Sequence, residues 1–257
     1  MGFTTVRIAD PGRVLAILVA AESALALVYL SSEWLGRPIT TVHDLFDMDG
    51  EGNIPAWFSS VQLFAIGCVF LLRHSLARPG HAVPPLFWFV LAMGFFFLSA
   101  DEAASIHERL TYTLRQFEWL PRFKGGHGIW IGVYALGGFM LVACSLRPLR
   151  ALLTHHPGAS RLLVLGLAIV VLGSVGLEIV GYQFLRSDAP TMLYAIEVAL
   201  EEFLEMFGAS VVLCGALMLL REEPASLVLD RSRLQVTALN RRASPRAACG
   251  SAPRPRS

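Results

Sequence analysis

The carboxylates of this chain stand where positive charge would have to be met. Residues 98–110, LSADEAASIHERL, end an apolar run and set Asp101, Glu102, His107, Glu108 and Arg109 within nine positions. Further on, Glu197, Glu201 and Glu205 recur every four residues with Glu202 beside them, and Glu178 stands alone in LGSVGLEIVGY. Several carboxylate oxygens suit a hard divalent cation, and clustered acids also take up and release protons. Like charges at i,i+4 repel, and a carboxylate deep in lipid costs roughly 2.5–3.5 kcal/mol on insertion scales. Such stripes need a counter-charge: a metal ion, protons, or the arginines of the loop after residue 108.

The elements that position these acids are hydrophobic helices. The chain has 257 residues, 54% apolar and 16% charged, with a mean hydropathy of +0.57. Soluble domains run nearer a quarter charged, so this is membrane composition. A helix rising about 1.5 Å per residue needs about 20 apolar residues to cross the hydrocarbon. Runs of that kind cover 14–32, 55–72, 85–105, 127–146, 162–182 and 197–220. The expected fold is an all-α polytopic membrane bundle of about six transmembrane helices over residues 1–221. A tail over 222–257, rich in Arg, Ser, Ala and Pro, has too few apolar residues in its last part for a core and reads as a basic, disordered cytoplasmic segment. The first run reads as a retained helix because Glu22 interrupts it and Tyr29 and Leu30 continue it, unlike a cleaved leader.

Net charge is +1, so no global field draws the chain to nucleic acid. With the N-terminus in the cytoplasm, 15 of the 21 basic residues fall on that side, against Arg37, Arg109, Arg115, Arg122, Lys124 and Arg186 on the other. The positive-inside rule then puts both termini in the cytoplasm, with the lipid bilayer as the first partner and a bacterial inner (plasma) membrane as the expected location. The same topology sends 15 of the 20 acids to positions at or beyond the outer ends of the helices. The two long outer loops, rich in aromatics, are expected to lie on the membrane surface or cap a cavity, and the inner connections read as plain turns. The four cysteines show no CxxC or Cys/His spacing and read as structural.

Counting at about 1.5 Å per residue, Asp101 and Glu178 each lie roughly 24 Å up their helices. Glu201 reaches the outer boundary and Glu205 lies a turn deeper. If the third span is one unbroken helix, Asp101, Ser105 and Glu108 share an arc of about 60°, Glu102 and Arg109 flank it, and His107 points away. On the sixth span Glu197, Glu201 and Glu205 share an arc of about 80° that Gly208 continues. The expected cation or proton ligands are therefore Asp101, Glu102, Glu108, Glu178, Glu197, Glu201 and Glu205. His107, Asp47, Asp49, Glu51 and Glu22 are additional candidates, and His43 lies near enough in sequence to complete an outer site. Glu22, with Ser23 beside it and Gln62 at comparable depth, reads as a proton site or a buried hydrogen bond.

The loop DMDGEGNIPAWF resembles the calcium loop of EF-hands, with Asp47, Asp49 and Glu51 at ligand positions 1, 3 and 5 and Gly52 at the sharp turn. It departs from the motif at position 12, where the bidentate Glu is replaced by Phe58, and no soluble helix pair flanks it. The alternative is an acidic turn ahead of Pro55. Di-iron, HExxH zinc, phosphate-loop and nucleophile-elbow signatures are absent from the sequence. The leading expectation is a transport or ion-handling protein whose outer carboxylates bind a cation, with a divalent metal ion as candidate cofactor, or titrate protons. A metal-dependent membrane enzyme acting on a lipid or lipid-linked substrate, and a membrane scaffold or assembly factor, are the alternatives.

Overall fold

The computed structural model describes residues 3–6, 9–77, 82–185, 192–222, 225–230 and 235–240. The chain divides into two units, Ile8–Glu222 and a second made of Met1–Arg7 with Glu223–Ser257. In the second, strands β1 (Phe3–Val6), β2 (Ala225–Asp230) and β3 (Gln235–Asn240) pair antiparallel in that order, with Phe3 opposite Asp230 and Ala225 opposite Asn240. β2 and β3 lie in the segment expected to be a disordered tail. The rest of that tail, like Arg186, lies outside the described residues.

The unit Ile8–Glu222 is all-α. Its helices are α1 (Pro11–Trp34), α2 (Thr40–Phe46), α3 (Ile54–Leu76), α4 (Pro85–Ala104), α5 (Ile106–Leu114), α6 (Ile129–Cys144), α7 (Leu146–His155), α8 (Pro157–Val171), α9 (Glu178–Val180) and α10 (Met192–Glu222). A π-helical stretch, Leu172–Leu177, joins α8 to α9, and another, Gly181–Leu185, follows α9. α1, α3, α4, α10 and the continuous helix Pro157–Leu185 are each long and apolar enough to cross a membrane. α6 and α7, bent by 70° at Ser145, count as a sixth only if taken as one broken span. The fold is thus the expected multi-pass helical bundle.

Local chemistry explains where the helices start. Proline, whose fixed φ suits the first turn, opens α1, α3, α4 and α8. The Asp10 carboxylate caps α1 by accepting from the Arg13 N–H at 3.2 Å, and Asn53 Oδ1 caps α3 from the Ala56 N–H at 3.1 Å. Arg221 Nη1 also donates to Asp10 at 2.9 Å, tying the end of α10 to the start of α1. That guanidinium, with the Arg13 N–H, holds the Asp10 carboxyl below the usual carboxylate range.

α10 is the central helix, packed on α1, α3 and α8, with Met206, Ser210, Val212 and Leu219 fully enclosed. In lipid, helices associate by close packing and polar contacts, not by escape from water, and small residues at the seams serve that end. On the α8–α10 seam a side chain at Gly166 would come within 2.7 Å of the Gly208 carbonyl oxygen, and one at Gly208 within 2.7 Å of the Gly166 carbonyl. Only glycine at both positions allows this approach. α3 and α4 are clasped by serines: the Ser60 hydroxyl donates to the Ser99 carbonyl, and the Ser99 hydroxyl to the Ser60 carbonyl, both at 2.8 Å. Beneath the clasp, Ile66, Phe70, Phe87, Trp88 and Phe95 form a core that meets Leu163, Val212 and Leu219.

Two local expectations are corrected. The connection expected as a plain turn after residue 146 contains α7, which buries Leu152 and leaves Arg147 and Arg150 exposed, as an amphipathic helix does. The third span is not one helix to its end. Ser105 adopts a left-handed conformation (φ 50°, ψ 46°), so α4 stops at Ala104 and α5 starts at Ile106 in a new direction.

Candidate functional site

At the Glu-rich end of the bundle lies a cavity of about 1180 Å³. Its wall includes Asp49 and Glu51 from the α2–α3 loop, Asp101 and Glu102 from α4, and His107 and Glu108 from α5. Glu178 from α9 and Glu197, Glu201, Glu202 and Glu205 from α10 complete the acidic lining. All seven acids expected as ligands therefore face one space, as do His107, Asp49 and Glu51. Glu202, beside Glu201 in sequence and outside the expected ligand set, is also in the wall.

The break at Ser105 shapes the site. It resets the helical phase, so Asp101, Ser105 and Glu108 do not form the continuous stripe an unbroken helix would give. His107, expected to point away, instead turns inward. Asp101 accepts from the His107 backbone N–H at 2.8 Å, and its same oxygen lies 3.3 Å from His107 Nδ1. One buried carboxylate thus anchors the first turn of α5 and orients the imidazole, leaving Nε2 for a ligand, as in carboxylate–histidine–metal arrangements. The Trp130 indole closes over the ring edge-on, with centroids 5.2 Å apart.

Beside His107, Glu51 and Glu108 complete a three-residue group whose ligand atoms all lie within 4.8 Å of one another. Two carboxylates and an imidazole at this spacing form a donor set for Mn²⁺, Zn²⁺ or Fe²⁺ more than for Ca²⁺, which prefers oxygen alone. Burial opposes charge on His107, but the Asp101 hydrogen bond and charge, aided by Glu51 and Glu102, prevail and raise its pKa. Burial likewise pushes the Glu51 carboxyl up to about 7; His107 opposes this, while Glu108 and Asp101 add to it. Glu51 is exposed to the cavity, so the shift concerns proton affinity and implies no large stability.

The far wall is built by π-helical turns, which are rare and often found at functional sites. They flank Glu178, whose Oε1 accepts from Trp130 Nε1 at 3.0 Å. A side chain at Gly173 would come within 2.9 Å of the Glu201 carbonyl oxygen, so the missing Cβ there brings the Pro157–Leu185 helix close to the acidic face of α10. On α4, Glu102 accepts from Ser59 of α3.

The loop cations have other contacts. Arg109 Nε donates to the Ala104 carbonyl at 3.0 Å and Arg115 Nε to the Gly126 carbonyl at 2.9 Å. Arg122 donates to the carbonyls of Leu120, Arg115 and Phe117, and Lys124 to that of Gln183. These side chains cap helix and loop ends. Arg109 and Arg115 also face the cavity.

The calcium-loop resemblance does not extend to geometry. Asp47 Oδ1 accepts from the Asp49 N–H at 3.1 Å, and its other oxygen lies 3.7 Å from His43 Nε2. Asp49 accepts from the Tyr194 hydroxyl at 2.6 Å, while Glu51 turns to His107. Three acids with three different neighbours do not converge on one ion. The turn is held by Asn53, whose amide donates to the carbonyls of Asp47 and Gly50 at 2.5 Å each, and Gly52 supplies the positive φ of 72°. Asp47 and His43 do not line the cavity; His43 lies 3.4 Å from Glu33 in a separate cluster.

Glu22 is also elsewhere. It is fully buried, and its Oε1 accepts from Gln62 Nε2 at 2.8 Å and from the Ser210 hydroxyl at 2.5 Å. The amide also donates to the Ser210 oxygen at 2.8 Å, closing a triangle between α1, α3 and α10.

A family described as Domain of unknown function (DUF8692) matches residues 13–220, most of the chain, so the protein belongs to that family. No curated protein and no solved structure matches it.

Proposed function

We propose that this member of the DUF8692 family is a transport or ion-handling protein of an inner (plasma) membrane, with both termini cytoplasmic and the carboxylate cavity facing outward to bind cations. The observation that carries the reading is the arrival of acids from five separate segments at one cavity, with an imidazole among them. Within it, Glu51, His107 and Glu108 are the ligands of a divalent ion, and Asp101 orients the histidine. The acids of α10 provide the surrounding negative field and exchange protons as the ion enters and leaves. A ligand trio that leaves coordination positions open is also what a catalytic metal needs, so hydrolysis of a lipid-linked substrate is the second reading.

The test is divalent-ion binding to the purified protein in lipid nanodiscs. Mn²⁺, Zn²⁺ and Ca²⁺ are expected to raise thermal stability, and the Glu51→Gln/His107→Gln pair to abolish the Mn²⁺ and Zn²⁺ response. Metal that stays at stoichiometric level through dialysis favours the enzyme, and weak exchangeable binding favours transport. No response in the wild type overturns the divalent-ion site and, with it, the enzyme.

A further inference from the structure

We infer that the cavity takes an amphiphilic cation, a positively charged head carried on a hydrocarbon chain, admitted sideways from the bilayer between α6 and α8. The inference rests on the cation-binding reading above and narrows it to a ligand class. Size is the first ground. A water-sized guest occupies about 30 Å³, whereas the cavity offers about 1180 Å³, far beyond what a bare ion needs.

The character of the wall is the second ground. The carboxylates hold only one end; beyond them the lining passes to Leu98, Ile131, Phe139, Leu167, Val170 and Val171. A polar end and an apolar trough within one space match a ligand that is itself divided in this way.

The third ground is where the trough opens. Phe139, Leu167 and Val171 line the cavity and yet are 69%, 46% and 56% exposed. Phe139 lies roughly 15 Å along α6 from its start, and Leu167 roughly 15 Å along α8, so the slot faces the hydrocarbon and not the aqueous rim. α6 produces it by standing away from the bundle: of its residues only Ile129 is buried. At the acidic end it is pinned by Trp130 on Glu178 at 3.0 Å and by Tyr134 against Phe97, with ring centroids 5.8 Å apart. A hydrophilic ion gains nothing from a side door into lipid. A chain already dissolved in the leaflet can slide through it while its head moves to the acids. Charge sets the sign, since ten acidic side chains face the space against two arginines, Arg109 and Arg115; an anionic head is repelled.

The experiment titrates wild-type protein in nanodiscs by calorimetry, with empty nanodiscs subtracted, using decyltrimethylammonium, tetramethylammonium, decyl sulfate and Mn²⁺. Decyltrimethylammonium is expected to bind at least about tenfold more tightly than tetramethylammonium, because added methylenes are buried, and decyl sulfate not to bind saturably. Val171→Trp, or Leu167→Trp if that variant is poorly produced, fills the slot. Either should weaken decyltrimethylammonium at least about tenfold and leave Mn²⁺ affinity unchanged. Equal affinity for the two ammonium ions, equal binding of decyl sulfate, or indifference to both tryptophans overturns the inference. Mn²⁺ in the same preparation separates the two claims. Mn²⁺ binding without the amphiphile ends this inference alone, and loss of both ends the cation reading too. Saturable amphiphile binding without Mn²⁺ upholds the inference and removes the metal site.

Discussion

Glu22 and Glu205 are both glutamates within apolar helices, and their surroundings could hardly differ more. Glu22 has no exposed surface and meets two uncharged donors, Gln62 and Ser210, on neighbouring helices. Glu205 opens on a cavity shared with Glu102, Glu178, Glu201 and Glu202. The first arrangement satisfies a single carboxyl with neutral hydrogen bonds and joins three helices, which is a structural use of an acid. The second gathers like charges that raise one another's energy until something positive arrives. A buried acid therefore signals binding when its neighbours repel it and the space in front is open, and not merely because it lies in an apolar helix.

The largest way to break this contrast is at Glu22. Glu22→Ala should leave Gln62 and Ser210 without their acceptor in a closed space and cost about 2–5 kcal/mol, read by unfolding in detergent. Glu22→Gln, which keeps the shape and an acceptor oxygen, should cost under about 1 kcal/mol and leave cation binding untouched. If Glu22→Gln abolishes cation binding, Glu22 belongs to the functional site and the distinction fails.

Gly173→Val sharpens the other half. The added side chain meets the Glu201 backbone at the seam, where overpacking costs about 1–3 kcal/mol, and it should also weaken cation binding by moving the π-helical wall off α10. A smaller effect of opposite sign is expected for Glu202→Gln. Removing one of several mutually repelling charges should raise the ion-free protein's stability by roughly 0.2–0.5 kcal/mol, whereas a structural acid would lower it.

The pH response is the mildest test. Glu51, raised to about 7, and His107, also raised, hold protons in the folded protein that the unfolded chain has already released. From the ordinary carboxylate value of 4.5 up through about 7, the folded state binds more protons, so stability of the ion-free protein should fall as pH rises. Glu51→Gln should flatten the lower part of that fall and leave the upper part, which belongs to His107. A stability that rises over this range contradicts the geometry around Glu51.

Periodicity and run length made the membrane helices legible, since a span is a property of composition over some twenty consecutive residues. They also made the depth of Glu178 and the α10 stripe legible, because a regular helix converts spacing directly into direction. What escaped was where that regularity fails. Ser105 is not a residue that announces a left-handed break, and the stop resets the phase that decides where His107 points. Glu51 was legible as a candidate ligand, but its pairing with His107 was not, for a different reason. Its link to His107 spans the whole α3–α4 hairpin, and no local pattern encodes which loop acid a fold will carry across. The bend at Ser145 and the standing-off of α6 are likewise outcomes of packing; the apolar run of 127–146 looks like any other span.

Mn²⁺ binding read by electron paramagnetic resonance, on wild type, Glu22→Gln and Glu51→Gln/His107→Gln in nanodiscs, bears most directly on the claim that the cavity holds a divalent-ion site. One bound ion per chain is predicted for the wild type and for Glu22→Gln, and none for the double variant. Equal binding in all three, or none in the wild type, contradicts it.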